Sequence, residues 1–290
     1  MNDRVSIIIP SRSEQFLYKT TQDLLQKSKG DIEIIVVLEG YWPPSHEIIE
    51  DKRVRYLHRG VPGGLRNAIN SAVAISTGDY IMKTDSHCLF GDGFDVKLKE
   101  DMQDNRVVIP RRYSLDAENW KIQDSRPIRD YHYLCYPDPN KAHDGGMHGV
   151  DWFERANGRE HLLIDDTMSF QGSCWFMKKS WFEFIEGLVE DPIYGESGWA
   201  QEPTELGNKT WLSGGEVKVN KKTYYAHLHK GKKYGRGYNI DDSGVIKGHN
   251  FSAKYWFNNS WHKQTRKLEW LVEKFWPVPT WPDNWRDLKL

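Results

Sequence analysis

Continuous apolar runs alternate with segments of helical period along the first part of the chain. Val5-Ser6-Ile7-Ile8-Ile9-Pro10 and Ile32-Glu33-Ile34-Ile35-Val36-Val37-Leu38 lack a strict in-out alternation, as expected of strands covered on both faces of a parallel sheet. Between them Phe16 to Lys27 reads as a crossover helix, and Val54 to Leu57 as a third, shorter strand. Gly60 to Gly64 is a glycine-rich loop, Leu65 to Ser76 a second helix, and Gly78-Asp79 a turn into the short buried strand Tyr80 to Thr84. Strand, helix, strand, strand, helix, strand is the order of a doubly wound half-domain. The fold class this predicts is α/β, a Rossmann-like and mostly parallel sheet.

Beyond residue 100 the pattern is sparser. Val107-Val108-Ile109-Pro110 predicts a further core strand, and residues 111 to 165 form a polar, aromatic, loop-rich stretch with Asp144-Gly145-Gly146-Met147-His148-Gly149 at its heart. Gly172 to Lys179 predicts a strand leading into the helix Trp181 to Glu186, and Val217 to Tyr225 a β segment delivering Ala226-His227. A last helix is expected over Ser260 to Phe275, its Trp261 and Trp270, with Trp256 and Trp276 beside it, packing on the domain.

Composition narrows the class. With 290 residues the chain can form one large α/β domain or two small ones. A net charge of -1 and a pI near 6.8 carry no global basic footprint for nucleic acid. Mean hydropathy is -0.72, and no apolar run is long enough for a membrane span. Met1-Asn2-Asp3-Arg4 enters a strand without a signal-peptide pattern, and Cys88, Cys135 and Cys174 lack a C-x-x-C pair, so reduced thiols and a cytoplasmic location are expected.

The candidate chemistry lies at the end of the strand Tyr80 to Thr84. Open α/β sheets bind ligands outside the carboxyl ends of their strands. Alternation points Asp85 and His87 to one side with Ser86 opposed. One carboxylate oxygen and one imidazole nitrogen in D-x-H spacing suit a divalent ion such as Mn²⁺, or Mg²⁺. Farther on, Lys230-Gly231-Lys232-Lys233-Tyr234-Gly235-Arg236-Gly237-Tyr238 reads as a flexible basic loop suited to a diphosphate, mobile until one binds.

The succession Val-Ser-Ile-Ile-Ile-Pro, Ile-Ile-Val-Val-Leu-Glu-Gly, Gly-Gly-Leu-Arg-Asn, Gly-Asp-Tyr-Ile and Asp-Ser-His resembles the GT-A fold of family-2-type glycosyltransferases. Asp-Ser-His is the form found in the polypeptide N-acetylgalactosaminyltransferases. The resemblance covers residues 5 to 100 and resumes at 172 to 227, where Gly198-Trp199-Ala200-Gln201-Glu202-Pro203-Thr204-Glu205-Leu206 is similar to the family's Trp-Gly-Gly-Glu-Asn-x-Glu-Leu segment. It implies sugar transfer from a nucleotide diphosphate sugar, a UDP-sugar, at a metal held by Asp85, His87 and His227; His229, on the same strand face as His227, remains an alternative ligand. It implies Glu202 beside the sugar and Glu205 one helical turn on as the catalytic carboxylates. Donor contacts are expected from Pro10, Ser11, Arg12 and Glu14, from Glu39, Gly64, Arg66 and Asn67, from Asp85, Ser86 and Trp199, and from Lys230, Lys233 and Tyr234. Pro203 stands where inverting relatives carry the base, which leans toward retention of configuration.

The expected organisation is a GT-A domain over 1–229, made of a nucleotide-binding half (1–100), a variable insertion (101–171) and an acceptor half (172–229), followed by the basic donor loop and a helical extension over 230–290. Other readings are a nucleotidyltransferase on a related sheet, for which Ser11-Arg12-Ser13-Glu14 lacks the phosphate-loop lysine, and an inactive carbohydrate-binding relative. The acceptor is a glycan, a protein or hydroxymethylated DNA; Arg111, Arg112, Lys141 and His143 are the cations that keep DNA open.

Overall fold

The computed structural model describes residues 3–138, 146–194, 198–238 and 242–287, with the side chains of 198–199 left out. Its first part runs β1 (Val5–Ser11), α1 (Leu17–Lys27), β2 (Ile32–Glu39), β3 (Val54–Arg59), α2 (Gly64–Ile75) and β4 (Tyr80–Thr84). Next come β5 (Cys88–Phe90), α3 (Phe94–Glu100), β6 (Arg106–Asp116), β7 (Lys121–Ile122), β8 (His132–Leu134), β9 (Gly149–Asp151) and β10 (Ile164–Asp166). The chain continues through β11 (Cys174–Lys178), α4 (Lys179–Phe184), α5 (Glu202–Leu212), β12 (Glu216–His227), α6 (Gly231–Tyr234), α7 (Asp242–Phe257) and α8 (Leu268–Phe275).

The central sheet has the order β10-β12-β6-β11-β4-β1-β2-β3. β1 pairs in parallel with β2 and β4, and β2 with β3, as the apolar runs predict. β11 is antiparallel to both β4 and β6, and β12 runs parallel to β6, so the sheet is mixed in its second half. Because successive strand residues face opposite ways, Ile8, Ile35, Val37 and Ile81 enter the core on the α2 and α5 side. Ile7, Ile9, Ile34, Val36 and Met82 enter a second core, with Leu17 and Leu24 of α1 and Phe94 and Leu98 of α3. Pro10 closes the β1 run as expected, half-buried, and Ser11 follows it, buried, at the mouth of the sheet.

The C-terminal part departs from expectation. The predicted helix over Ser260 to Phe275 begins only at Leu268, because the segment before it is pinned to the end of α5. Trp261 Nε1 donates to Ser213 Oγ at 2.8 Å, and the amides of Thr265 and Arg266 donate to the Leu212 carbonyl at 2.7 and 3.0 Å. The longer helix α7 lies within the expected helical extension, ahead of the one helix assigned there. Trp256 and Trp261 are buried in the same apolar cluster as Trp211, Trp281 and Trp285, with Trp270 and Trp276 packed against it. Among the described residues no helix is long and apolar enough to cross a membrane.

Candidate active site

Three strand ends build the centre of the site. β4 ends at Thr84, and the Asp85 amide donates to the Ser173 carbonyl at 2.9 Å, which holds the turn against the start of β11. The end of β12 pairs antiparallel with β5, His227 opposite Cys88, and the Leu228 amide donates to the His87 carbonyl at 3.1 Å. That register brings two imidazoles together across the pair. His87 Nε2 and His227 Nε2 lie 3.1 Å apart, and Asp85 Oδ2 lies 3.3 Å from the His227 nitrogen and 3.8 Å from that of His87. His229 packs edge-on against the His227 ring and is not in this group.

The donor set suits a divalent cation. Burial holds His227 neutral, its pKa lowered to about 3, so its ring nitrogen is available as a ligand down to acid pH. Burial opposes ionisation of Asp85, but the Lys83 ammonium and a hydrogen bond from His227 outweigh it and keep the carboxyl well below its usual range. An ionised carboxylate and two imidazoles within one small volume form a mixed oxygen and nitrogen set that could hold a divalent cation. Behind His87, Glu14 Oε2 stands 3.4 Å from Nδ1, the place of an outer carboxylate that orients a ligating ring.

Under this group lies a buried ionic floor. Lys83 Nζ donates to Asp85 Oδ1 and to the Gly172 carbonyl, both at 2.6 Å, and reaches Glu202 Oε2 at 3.4 Å. Trp175 Nε1 donates to Glu202 Oε1 at 2.5 Å. Burial pushes the Glu202 carboxyl up, against the pull of Lys83 and Trp175. Glu205 is also fully buried, but it faces elsewhere: it pairs with Arg66 and with Lys209 at 2.7 Å, and accepts the Val189 amide at 3.0 Å.

A sequence model of the family described as Glycosyl transferase family 2 matches residues 6–185. The chain belongs to that family. It is similar to Glycosyltransferase GlyG of Streptococcus pneumoniae serotype 4, 30% identical over 127 residues that cover 41% of this chain and 42% of that protein. Uncharacterized glycosyltransferase EpsJ of Bacillus subtilis is 33% identical over 185 residues, 57% of this chain and 52% of that one. The chain thus spans about half the length of these curated relatives. In backbone it resembles GalNAc-T7, solved with UDP, GalNAc and Mn²⁺, at a TM-score of 0.65 and 13% identity, covering 88% of this chain and 49% of that one. It also resembles S. aureus TarS in complex with UDP-GlcNAc, at 0.54 and 12%, covering 82% and 62%. At such identities the likeness is one of fold, and the fold is GT-A.

Within this family 2 domain the other expected donor residues fall into two groups. One surrounds the mouth of β1. Ser11 Oγ is hydrogen-bonded to the Tyr41 hydroxyl, Arg12 lies over the Tyr238 ring at 5.0 Å, and Tyr234 packs edge-on against Phe16. Ser86 is buried. The other group surrounds the start of α2. Glu39 accepts the amides of Gly63 and Gly64 at 2.7 and 2.9 Å and pairs with Arg59, so it caps the helix and matches its positive end. Gly64 has a φ of +84°, which a side chain would strain. Asn67 bonds Arg59 and Glu190, and Arg66 lies over the Tyr194 ring at 3.7 Å. The Trp199 side chain lies outside the described residues, as do Lys141 and His143.

In the basic segment 230–238, Lys230 pairs with Glu14, Lys233 pairs with Glu118, and residues 231–234 form a helical turn. Arg111 and Arg112 are also paired within the chain. Arg111 is held by Asp130 at 2.7 Å, and Arg112 is buried on Asp151 at the same distance. Sequence reasoning missed Lys83 and Trp175, the partners of Glu202. The available signal was a lysine inside a strand predicted to be buried on both faces, which obliges a carboxylate partner nearby.

Proposed function

We propose that this chain transfers a sugar from a UDP-sugar to an acceptor hydroxyl with the help of a divalent cation. The observation that carries the reading is the Asp85, His87 and His227 group at the carboxyl end of β4 in a family 2 domain. Two solved structures of this fold hold UDP or a UDP-sugar by name, and one of them Mn²⁺. Asp85, His87 and His227 would hold the ion, which when bound would supply Lewis-acid stabilisation to the departing diphosphate. The chain's own residues do the rest. In this reading Glu14, 3.4 Å from His87 Nδ1, would steer that ring, and Lys230, paired with Glu14, would add a charge-assisted contact to a phosphate oxygen. In this reading Glu202, whose Oε1 takes the Trp175 indole and whose Oε2 lies 3.4 Å from Lys83, borders the sugar, and its remaining lone pairs would accept sugar hydroxyls through bonds that tighten as the ring flattens. Glu205 has its oxygens taken by Arg66, Lys209 and the Val189 amide, so in this reading it positions α5 and accepts no proton. With Pro203 next to Glu202, no side-chain base stands at that position, and the reading favours retention.

Calorimetry tests it. UDP is expected to bind the purified chain in Mn²⁺ and to lose most of that affinity in excess chelator or in Asp85→Ala. Equal UDP affinity with and without the metal would refute the role given to the three ligands.

A further inference from the structure

Lys83 occupies the fourth position of β4, between Ile8 of β1 and Trp175 of β11, and is 1% exposed. An ammonium has three hydrogens to donate, and buried this deeply each needs an acceptor. They go to three segments: Asp85 Oδ1 after β4, the Gly172 carbonyl before β11, and Glu202 Oε2 at the start of α5. Gly172 is part of the same fit, because a Cβ there would stand 2.7 Å from Glu202 Oε2. The lysine is screened from any donor by the carboxylates it holds, so it touches neither sugar nor phosphate.

We infer that Lys83 is a positioning residue, which engages Asp85 through Oδ1 so that Oδ2 alone is presented to the cation, and which ties that carboxylate to Glu202 on the sugar side. Oδ2 is the oxygen that faces both imidazoles, and Oδ1 is turned into the floor. A free aspartate could rotate or chelate with both oxygens; this one cannot without giving up the Lys83 bond. The ammonium also offsets one of two adjacent carboxylates, so Asp85 and Glu202 can stand on one floor without repelling each other apart. The inference rests on the metal reading above, and its test separates the two.

The test uses the full chain and metal alone. In crystals of the wild-type protein soaked with Mn²⁺, Asp85 is expected to bind the ion through Oδ2 only, with Oδ1 still on Lys83; chelation through both oxygens overturns the inference. In solution, Lys83→Met/Glu202→Gln removes one cation and one anion and leaves the net charge of the floor unchanged. It is expected to bind Mn²⁺ more weakly by about tenfold or more and to change the visible spectrum of bound Co²⁺. Wild-type affinity with an unchanged Co²⁺ spectrum would reduce Lys83 to a structural filler. Wild-type Mn²⁺ affinity in Asp85→Ala would instead overturn the metal reading itself.

Discussion

Glu202 and Glu205 stand one turn apart on α5, yet their partners differ in kind. Glu205 is enclosed by Arg66, Lys209 and a backbone amide, whereas Glu202 shares Lys83 with Asp85, the proposed ligand. Glu202→Gln is therefore expected to lower turnover by about tenfold or more, roughly 1.4 kcal/mol of transition-state stabilisation, and to leave UDP affinity nearly intact. A comparable loss in UDP affinity would place Glu202 with the phosphates. A second residue-scale expectation concerns acid. Burial, with repulsion from Arg112 and Arg129, outweighs the Asp151 hydrogen bond and lowers the His132 pKa from its ordinary 6.5. Below that value the unfolded chain binds the proton more readily than the folded one, so stability falls as the pH drops through the window beneath 6.5 and is fully present above it. Urea midpoints measured in chelator from pH 7 downward are expected to decline less steeply for His132→Gln than for wild type. Parallel declines would mean that His132 does not contribute.

Among the elements, the strands were legible and the polar contacts between them were not. β1, β2 and β4 are buried on both faces, and their apolar runs say so directly. The match of His227 to His87, by contrast, depends on the antiparallel register of β12 on β5, a pairing between residues far apart in sequence. α7 escaped notice because Gly244 and Gly248 lie within it and lower its helical propensity, while its burial comes from tertiary packing. The α6 turn shows how an element changes a prediction. Lys230 is nearly buried on Glu14, next to His87, while Lys233 is 64% exposed on the surface residue Glu118. Lys230→Ala is expected to weaken UDP binding in Mn²⁺ markedly, and the loss should shrink at high salt; Lys233→Ala should change it much less. Equal losses would show that both lysines reach the diphosphate.

At the scale of the whole molecule, the aromatic C-terminal part is continuous with the sheet core. Trp256 is fully buried in the cluster that also holds Ile8 and Trp175. Trp256→Ala should cost about 3–5 kcal/mol and lower the midpoint of a single unfolding transition; a separate early transition would show that the C-terminal helices unfold on their own. The content of 13 tryptophans is largely explained by this packing, since Trp152, Trp175, Trp181, Trp211, Trp256, Trp261, Trp281 and Trp285 are all buried in that cluster. The acceptor is not legible in the same way, because no motif of the sequence encodes it. The most direct test of the central claim is sugar release from a panel of UDP-sugars by the purified chain, followed by mass spectrometry in Mn²⁺ and in excess chelator. Mn²⁺-dependent cleavage of at least one donor is expected, abolished by chelator and by Asp85→Ala. Cleavage that persists undiminished in chelator and in Asp85→Ala would contradict that claim.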